Sequence, residues 1–157
     1  PGQIPAQSSI TAPVAHIDLM PTFAAAGGGT LPAGVEIDGV DILPFARGTA
    51  APNTTPHDAI FWQSAYYKAV RRGDWKLQVS DNPAKTWLFN LAVDPTEKSN
   101  IAEQNPDKVA ELKKLLADHQ ATARPPLYPH TTEGAVAVDK SLAHKAEPSD
   151  EYVVWPN

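Results

Sequence analysis

The stretch that decides the fold is KAVRRGDWKLQV, residues Lys68–Val79. Two runs rich in branched and aromatic residues flank the dipeptide Gly73-Asp74, and this arrangement is typical of a hairpin with a two-residue turn. Such a turn sets Arg72 opposite Trp75 across the antiparallel pair. The sequence therefore predicts a β-hairpin whose register is fixed by its turn.

This register places the cations of the hairpin on two different faces. Trp75 lies on the face that should receive a helix, and Arg72 lies at the end of that face with its aliphatic stem over the indole. Arg71 and Lys76 are directly opposed on the other face, where two like charges destabilise the pair by roughly a few tenths of a kcal/mol. We therefore expect a carboxylate or an anion to pair with Arg71 and Lys76.

Two sources of that negative charge remain open. The first is a protein carboxylate, for which the chain offers Glu97 and Asp94, or an acidic group from outside this chain. The second is a sulfated or phosphorylated ligand. Structural ion pairs are more common than anion sites in ordinary domains, which favours a carboxylate.

The segments around the hairpin predict an α+β fold. Four strands are expected at residues 59–63, 66–72, 75–79 and 86–91, separated by turn-forming residues. A helix is expected at 106–121, with Asn105-Pro106 at its start and an apolar stripe for the sheet, formed by Val109, Leu112, Leu116 and His119. The prediction is a small four-stranded antiparallel sheet packed by a C-terminal helix.

The chain divides into three parts on composition. Residues 1–55 hold an extended connector, a short helix at 18–27 with Asp18 as its N-cap, and a loop with one helical turn before Gly48. Residues 56–124 hold the sheet and its helix. Residues 125–157 read as a long irregular tail, and we expect this tail to cover another surface.

Charge and composition exclude several classes of protein. The 157 residues carry a formal net charge of -5, which argues against a partner that needs a broad basic footprint, such as duplex nucleic acid or an anionic membrane surface. There is no Cys, so disulfides, thiolate ligands and thiol nucleophiles are excluded. No apolar stretch reaches the length of a membrane span.

No motif in this chain carries chemistry by itself. The five His residues show none of the close spacings that place two imidazoles on one metal. No G-x-S-x-G, H-E-x-x-H or phosphate-cradling glycine loop occurs. We therefore predict no catalytic, cofactor-binding or metal-ligating residue here.

Several segments resemble, in order along the chain, the C-terminal region of type I sulfatases, the arylsulfatase-like branch of the alkaline phosphatase superfamily. They are DLMPT at 18–22, the R-G-D-W-K-L segment at 72–77, and L-F-N-L-x-x-D-P-x-E-x-x-N at 88–100. The resemblance implies that residues 1–55 are the last elements of an α/β catalytic domain and that residues 56–124 are a small C-terminal subdomain.

The resemblance also implies what lies outside this chain. Such enzymes use a formylglycine, made from Cys or Ser in a C/S-x-P-x-R motif, together with a calcium ion, and this chain contains neither the motif nor a match to a family catalytic residue. We expect calcium and formylglycine in an N-terminal catalytic domain, which would be the partner of this chain. The chain alone should be inactive, and a periplasmic or secreted location is implied.

The subdomain of such enzymes lies beside the active-site cleft, so some of its side chains are candidates for the cleft rim. Packing is the more common role of such aromatic groups. The candidates are His57, Trp62, Tyr66, Tyr152 and Trp155.

Two alternatives to a sulfatase remain open. The whole protein could instead cleave phosphate or phosphonate esters, because the C-terminal sheet does not contact the reacting group. The chain could also be a non-enzymatic module that binds sulfated glycans on the face of Arg71 and Lys76.

Overall fold

The computed structural model describes residues 2–64, 66–81 and 83–124, the backbone of 133–137 and 152–156, and residues 145, 147, 148 and 150. The chain forms two compact units, Pro1–Ile60 and Phe61–Asn157. The first contains short helices and loops. The second contains the sheet and the long helix.

The four predicted strands are present and form one antiparallel sheet in the order β1-β2-β3-β4. The hairpin register is confirmed, with Arg72 opposite Trp75 and Arg71 opposite Lys76. Gly73 in the turn has φ of 56°, a left-handed conformation that glycine adopts without strain. The strands are β1 (Ile60–Ser64), β2 (Tyr67–Arg72), β3 (Trp75–Asp81) and β4 (Ala84–Asn90).

One face of this sheet carries α3 (Pro106–Thr122), which packs on β2 and β3. The Lys108 ammonium lies 5.7 Å from the centroid of a Trp75 ring, and Arg72 pairs with Glu111 at 3.5 Å, so the helix covers the predicted face. The His119 ring stacks on Phe61 with centroids 4.0 Å apart. The buried side chains of this layer include Val70, Leu77, Leu88, Leu112 and Leu116.

The start of α3 differs in one detail from the prediction. Asn105 is the N-cap residue, but its side chain makes no capping bond to the helix. Its Nδ2 instead donates to the carbonyl of Ile101, which ties the preceding loop to the helix start. The Pro106 at the first helical position lacks an N–H that would otherwise need a partner.

The opposite face of the sheet is also substantially buried. Strand alternation places Ala69, Gln78 and Ser80 on this face, and all three are buried. Trp87 and Phe89 of β4 form a buried pair against which Leu91 packs. The loop that follows β4 contributes Glu97 to this face, as described below.

The first unit contains a 3₁₀ turn at His16–Asp18, then α1 (Leu19–Ala26) and α2 (Leu43–Arg47). The helical turn predicted before Gly48 is α2. Asp18 occupies the N-cap position of α1 but makes no side-chain bond to that helix, so its predicted capping role is wrong. Its carboxylate instead accepts the amide of Ala15 at 2.8 Å, on the side away from the helix.

The prediction of an irregular tail over 125–157 is wrong for two segments, β5 (Glu133–Ala137) and β6 (Tyr152–Pro156). These strands pair antiparallel, with Val136 opposite Val153. Each has only five residues, too few for a clear alternation, and their pairing is set by a contact that is distant along the chain. Strand β6 lies against β2, while the predicted covering role of the tail stays a prediction.

Candidate functional site

Glu97 is the central charged group on the sheet face opposite α3. Its carboxylate accepts hydrogen bonds from Nζ of Lys76 at 2.6 and 2.8 Å and from Nε2 of Gln78 at 2.5 Å. The two charged side chains are about three-quarters buried, with exposed fractions of 23% for Lys76 and 28% for Glu97. The positive charge of Lys76 is therefore compensated within the protein.

The loop after β4 holds Glu97 in place through its own polar residues. Oδ2 of Asp94 accepts the Ser99 amide at 2.9 Å, and hydrogen bonds from the Ser99 and Lys98 amides hold the pKa of Asp94 below its ordinary value. Glu97 itself has φ of 56°, a strained conformation for a residue with a side chain.

Asn100 joins the end of the same loop to the edge of β4. Its Oδ1 accepts the amides of Leu88 and Ala102, each at 3.0 Å, and its Nδ2 donates to the Thr86 carbonyl at 3.1 Å. Asp94, Glu97 and Asn100 are the polar positions of the D-P-x-E-x-x-N segment. This segment therefore builds a loop and an ion pair, and none of the contacts described involves a reacting group.

Tyr67 lies on the same face, opposite Ser80 in the ladder. Burial and the negative charge of Glu97 raise the pKa of Tyr67 well above its ordinary value. The phenol therefore remains protonated at all ordinary pH values and can donate a hydrogen bond.

A cleft of ≈ 330 Å³ opens on this face beside Lys76. Trp62 lies at its side with 39% of the residue exposed, which contrasts with Trp87 at 3%. The cleft combines an aromatic ring, a hydroxyl group, a phenol and an ammonium. It is lined by Trp62, Gln63, Ser64, Tyr67, Ala69 and Lys76.

The first unit contains a second polar centre, built on the buried carboxylate of Asp18. Oδ1 of Asp18 accepts the Val40 amide at 2.9 Å and lies 2.8 Å from Nε2 of His57. Burial alone would raise the pKa of Asp18, but the hydrogen bonds from Ala15, Val40 and His57 outweigh it and lower that pKa. The carboxylate is thus charged and fully enclosed, with donors on both oxygens.

Sequence reasoning missed this pair. The sequence predicts a helix cap at Asp18 and a cleft-rim residue at His57, because nothing in the local sequence of either residue indicates the other. Gly39 is the one sequence feature that bears on this pair. A side chain at this position would place its Cβ 2.0 Å from the Ile17 carbonyl oxygen. That close approach brings the backbone of residues 39 and 40 onto the Asp18 turn.

The structure places the remaining predicted residues as follows. Arg71 donates from Nε to the Gly73 carbonyl at 3.0 Å and does not share Glu97 with Lys76 in any contact described. Tyr66 is half-buried and directly precedes β2. The backbones of Tyr152 and Trp155 belong to β6, but their side chains lie outside the described residues.

Within the described part of the chain, no group of three or more His, Asp or Glu side chains is arranged to hold a metal ion. The calcium ion that the family resemblance implies is expected outside this chain, in the N-terminal catalytic domain. Among the same residues, no helix has the length and apolar character needed to cross a bilayer.

Comparison with known proteins identifies sulfatases as relatives in sequence. Arylsulfatase A of Bos taurus is 31% identical over 130 residues, which cover 63% of this chain and 25% of that protein. An N-acetylgalactosamine-6-O-sulfatase of Bacteroides thetaiotaomicron is 39% identical over 62 residues, covering 31% of this chain and 12% of that protein. The chain thus spans a quarter or less of these relatives. No family model matches the chain.

Solved structures show the same architecture. A 2-O GAG sulfatase aligns with a TM-score of 0.54 at 27% identity, over 66% of this chain and 24% of that one. Ps i-CgsB gives a TM-score of 0.66 at 24% identity, over 82% of this chain and 29% of that one. A phosphonate monoester hydrolase from Silicibacter pomeroyi shares the fold, with a TM-score of 0.52 at 19% identity over 70% of this chain and 25% of that one.

The sheet, the helix and the loop after β4 form a small α+β subdomain, and the 2-O GAG sulfatase structure shares its fold over 66% of this chain. Both relatives in sequence are sulfatases by name. The chain is therefore similar to the C-terminal region of sulfatases, as the resemblance of its sequence segments indicated.

Proposed function

We propose that this chain belongs to an enzyme that hydrolyses sulfate esters of carbohydrates. The observation that carries the proposal is the sequence likeness to sulfatases, including one that acts on N-acetylgalactosamine 6-O-sulfate groups by its name. The fold shared with a 2-O GAG sulfatase supports the same substrate class. The sulfate ester is then a substrate of the whole enzyme.

Within that enzyme, the chain acts as a structural subdomain beside the active-site cleft and is inactive alone. Its polar centres support this role, because Asp18 and Glu97 are each occupied by hydrogen bonds within the chain. Formylglycine and calcium would belong to the N-terminal catalytic domain.

That domain would be the main partner of the chain. Helix α1 supports the proposal, because three of its apolar side chains are exposed, namely Leu19 at 48%, Met20 at 51% and Phe23 at 67%. Exposed apolar residues in this density mark a surface that another element covers.

We propose that neither nucleic acid nor a membrane is a partner of the chain. We also propose a periplasmic or secreted location for the enzyme.

The test uses the full-length polypeptide that contains this chain, expressed with a formylglycine-generating enzyme. We expect calcium-dependent release of sulfate from aryl sulfates and sulfated saccharides, and no release by the 157-residue chain alone. Turnover of an aryl sulfate by the isolated chain would contradict the structural role.

Two alternatives have distinct outcomes in the same series of measurements. The shared fold of the phosphonate monoester hydrolase favours a test of phosphate and phosphonate monoesters, and faster turnover of these than of sulfates would reassign the enzyme. A sulfated-glycan-binding module would instead show heparin-induced shifts of the Arg71 and Lys76 resonances. The pairing of Lys76 with Glu97 weighs against that module.

A further inference from the structure

We propose that the Trp62 cleft binds an uncharged sugar ring of the carbohydrate chain, distinct from the ring that carries the sulfate. The choice of a carbohydrate ligand rests on the proposed function. Trp62, Tyr67 and Lys76 line the cleft, and Glu97 pairs with Lys76.

The size of the cleft suits a single ring. Its ≈ 330 Å³ lies at the lower end of the roughly 300–1,000 Å³ found for small-molecule sites. A monosaccharide unit fits such a volume, whereas a longer segment would have to extend into solvent.

The aromatic side of the cleft suits the faces of a sugar. Trp62 keeps 39% of its surface exposed within a strand, although Trp87 on the same face of the sheet is almost wholly buried. An exposed indole offers an apolar surface and one N–H donor, and the C–H groups of a pyranose ring stack on such a surface. The exposed area is thus of the kind that a ligand would cover.

The polar side of the cleft suits hydroxyl groups. The Lys76 ammonium lines the cleft and carries three N–H donors, and Glu97 accepts from it at 2.6 and 2.8 Å. The Tyr67 phenol also lines the cleft. A sugar hydroxyl both donates and accepts, so it can accept the remaining N–H of Lys76.

The charge of the cleft selects against a sulfate. The ammonium of Lys76 is matched by Glu97, and a sulfate drawn to Lys76 would also meet the Glu97 carboxylate. Because Glu97 already compensates the ammonium, a sulfate at Lys76 would gain little net attraction. The site should therefore prefer a neutral ring.

The experiment measures binding by the 157-residue chain directly, without turnover, so its failure is separate from failure of the proposed function. The probes are lactose and N-acetyllactosamine and their 6-sulfated forms, followed by saturation-transfer NMR and Trp fluorescence. We expect millimolar binding of the neutral sugars, weakened roughly tenfold or more by Trp62→Ala, as for a buried aromatic contact.

Two further variants make the test specific. Trp75→Phe is the matched control, because Trp75 lies on the α3 face, and it should leave the affinity unchanged. Glu97→Gln should strengthen binding of the sulfated sugars, since it removes the opposing charge beside Lys76. The proposal is overturned if neither neutral sugar binds, if Trp62→Ala leaves binding intact, or if the sulfated forms bind the native chain more tightly.

Discussion

Nε2 of His57 lies 2.8 Å from Oδ1 of Asp18, although 39 positions separate the two residues along the chain. The same carboxylate accepts the amides of Ala15 and Val40. A single buried side chain therefore joins the start of the first unit, the loop after α1 and the segment that leads into β1.

Asp18→Asn should destabilise the first unit by about 1–3 kcal/mol, because the amide turns an NH₂ group toward one of the enclosed donors. Hydrogen exchange at the Val40 amide should accelerate correspondingly. Asp38→Asn is the control, since Asp38 is exposed and has no hydrogen bond among those described. An unchanged exchange rate at Val40 in the Asp18 variant would show that the carboxylate is not what holds this loop.

The free energy of unfolding of the first unit should also depend on pH in the acid range. Burial alone would raise the pKa of Asp18, but the hydrogen bonds from Ala15, Val40 and His57 outweigh it, so that the folded pKa lies below the ordinary 3.8. The resulting stabilisation is complete above the unfolded pKa and is lost as pH falls through the folded one. Denaturant midpoints measured across the acid range should converge for the native chain and Asp18→Asn at the lowest pH. A difference that persists there would contradict the assignment.

Gly39→Ala should disrupt the same region by a steric route. The added Cβ would lie 2.0 Å from the Ile17 carbonyl oxygen and 3.0 Å from the Asp18 amide nitrogen, and both are backbone atoms that cannot swing aside. We expect a loss of at least about 1–3 kcal/mol by thermal unfolding. Gly29→Ala, whose nearest contact is an ordinary 3.4 Å, should be nearly neutral. Equal effects of the two changes would be inconsistent with a close approach at Gly39.

Glu97→Gln should lower the pKa of Tyr67, because the negative charge of Glu97 contributes to raising it. Burial is the larger cause and remains, so the pKa should stay above the ordinary value of 10.0. The measurement is a titration of the Tyr67 ring carbons by NMR. The exposed Glu103 provides the matched control as Glu103→Gln, which should leave this titration unchanged.

Asn100→Ala should loosen the loop at the edge of β4, where the bond from the Ile101 amide to the Leu88 carbonyl remains. The variant leaves the Leu88 amide without its acceptor inside a largely buried strand, which costs about 1–3 kcal/mol. Gln104→Ala, at an exposed position in the same region, serves for comparison. We expect hydrogen exchange at the Leu88 amide to accelerate in Asn100→Ala and to stay unchanged in Gln104→Ala.

The sheet and α3 could be predicted from sequence because their signals are local. The Gly73-Asp74 turn fixes the register of β2 and β3, and the leucine spacing of Leu112 and Leu116 fixes the buried side of the helix. The same register predicts that Lys76 needs a negative partner, and the structure selects Glu97 from the candidates that the sequence left open.

The rest depends on contacts between distant residues. The register that opposes Arg71 and Lys76 does not show that Arg71 turns back to the Gly73 carbonyl of its own turn. Asp18 precedes a helix, and a capping role is the ordinary expectation for that position. Its actual partners lie at Val40 and His57, and no local periodicity encodes them.

The loop after β4 has a consequence for how proteins of this kind are recognised. Its Asp, Glu and Asn positions are occupied with fastening an edge strand and neutralising one lysine. Within the described residues, the segment fixes the scaffold of the subdomain. Its contacts therefore carry no information about a substrate or a leaving group.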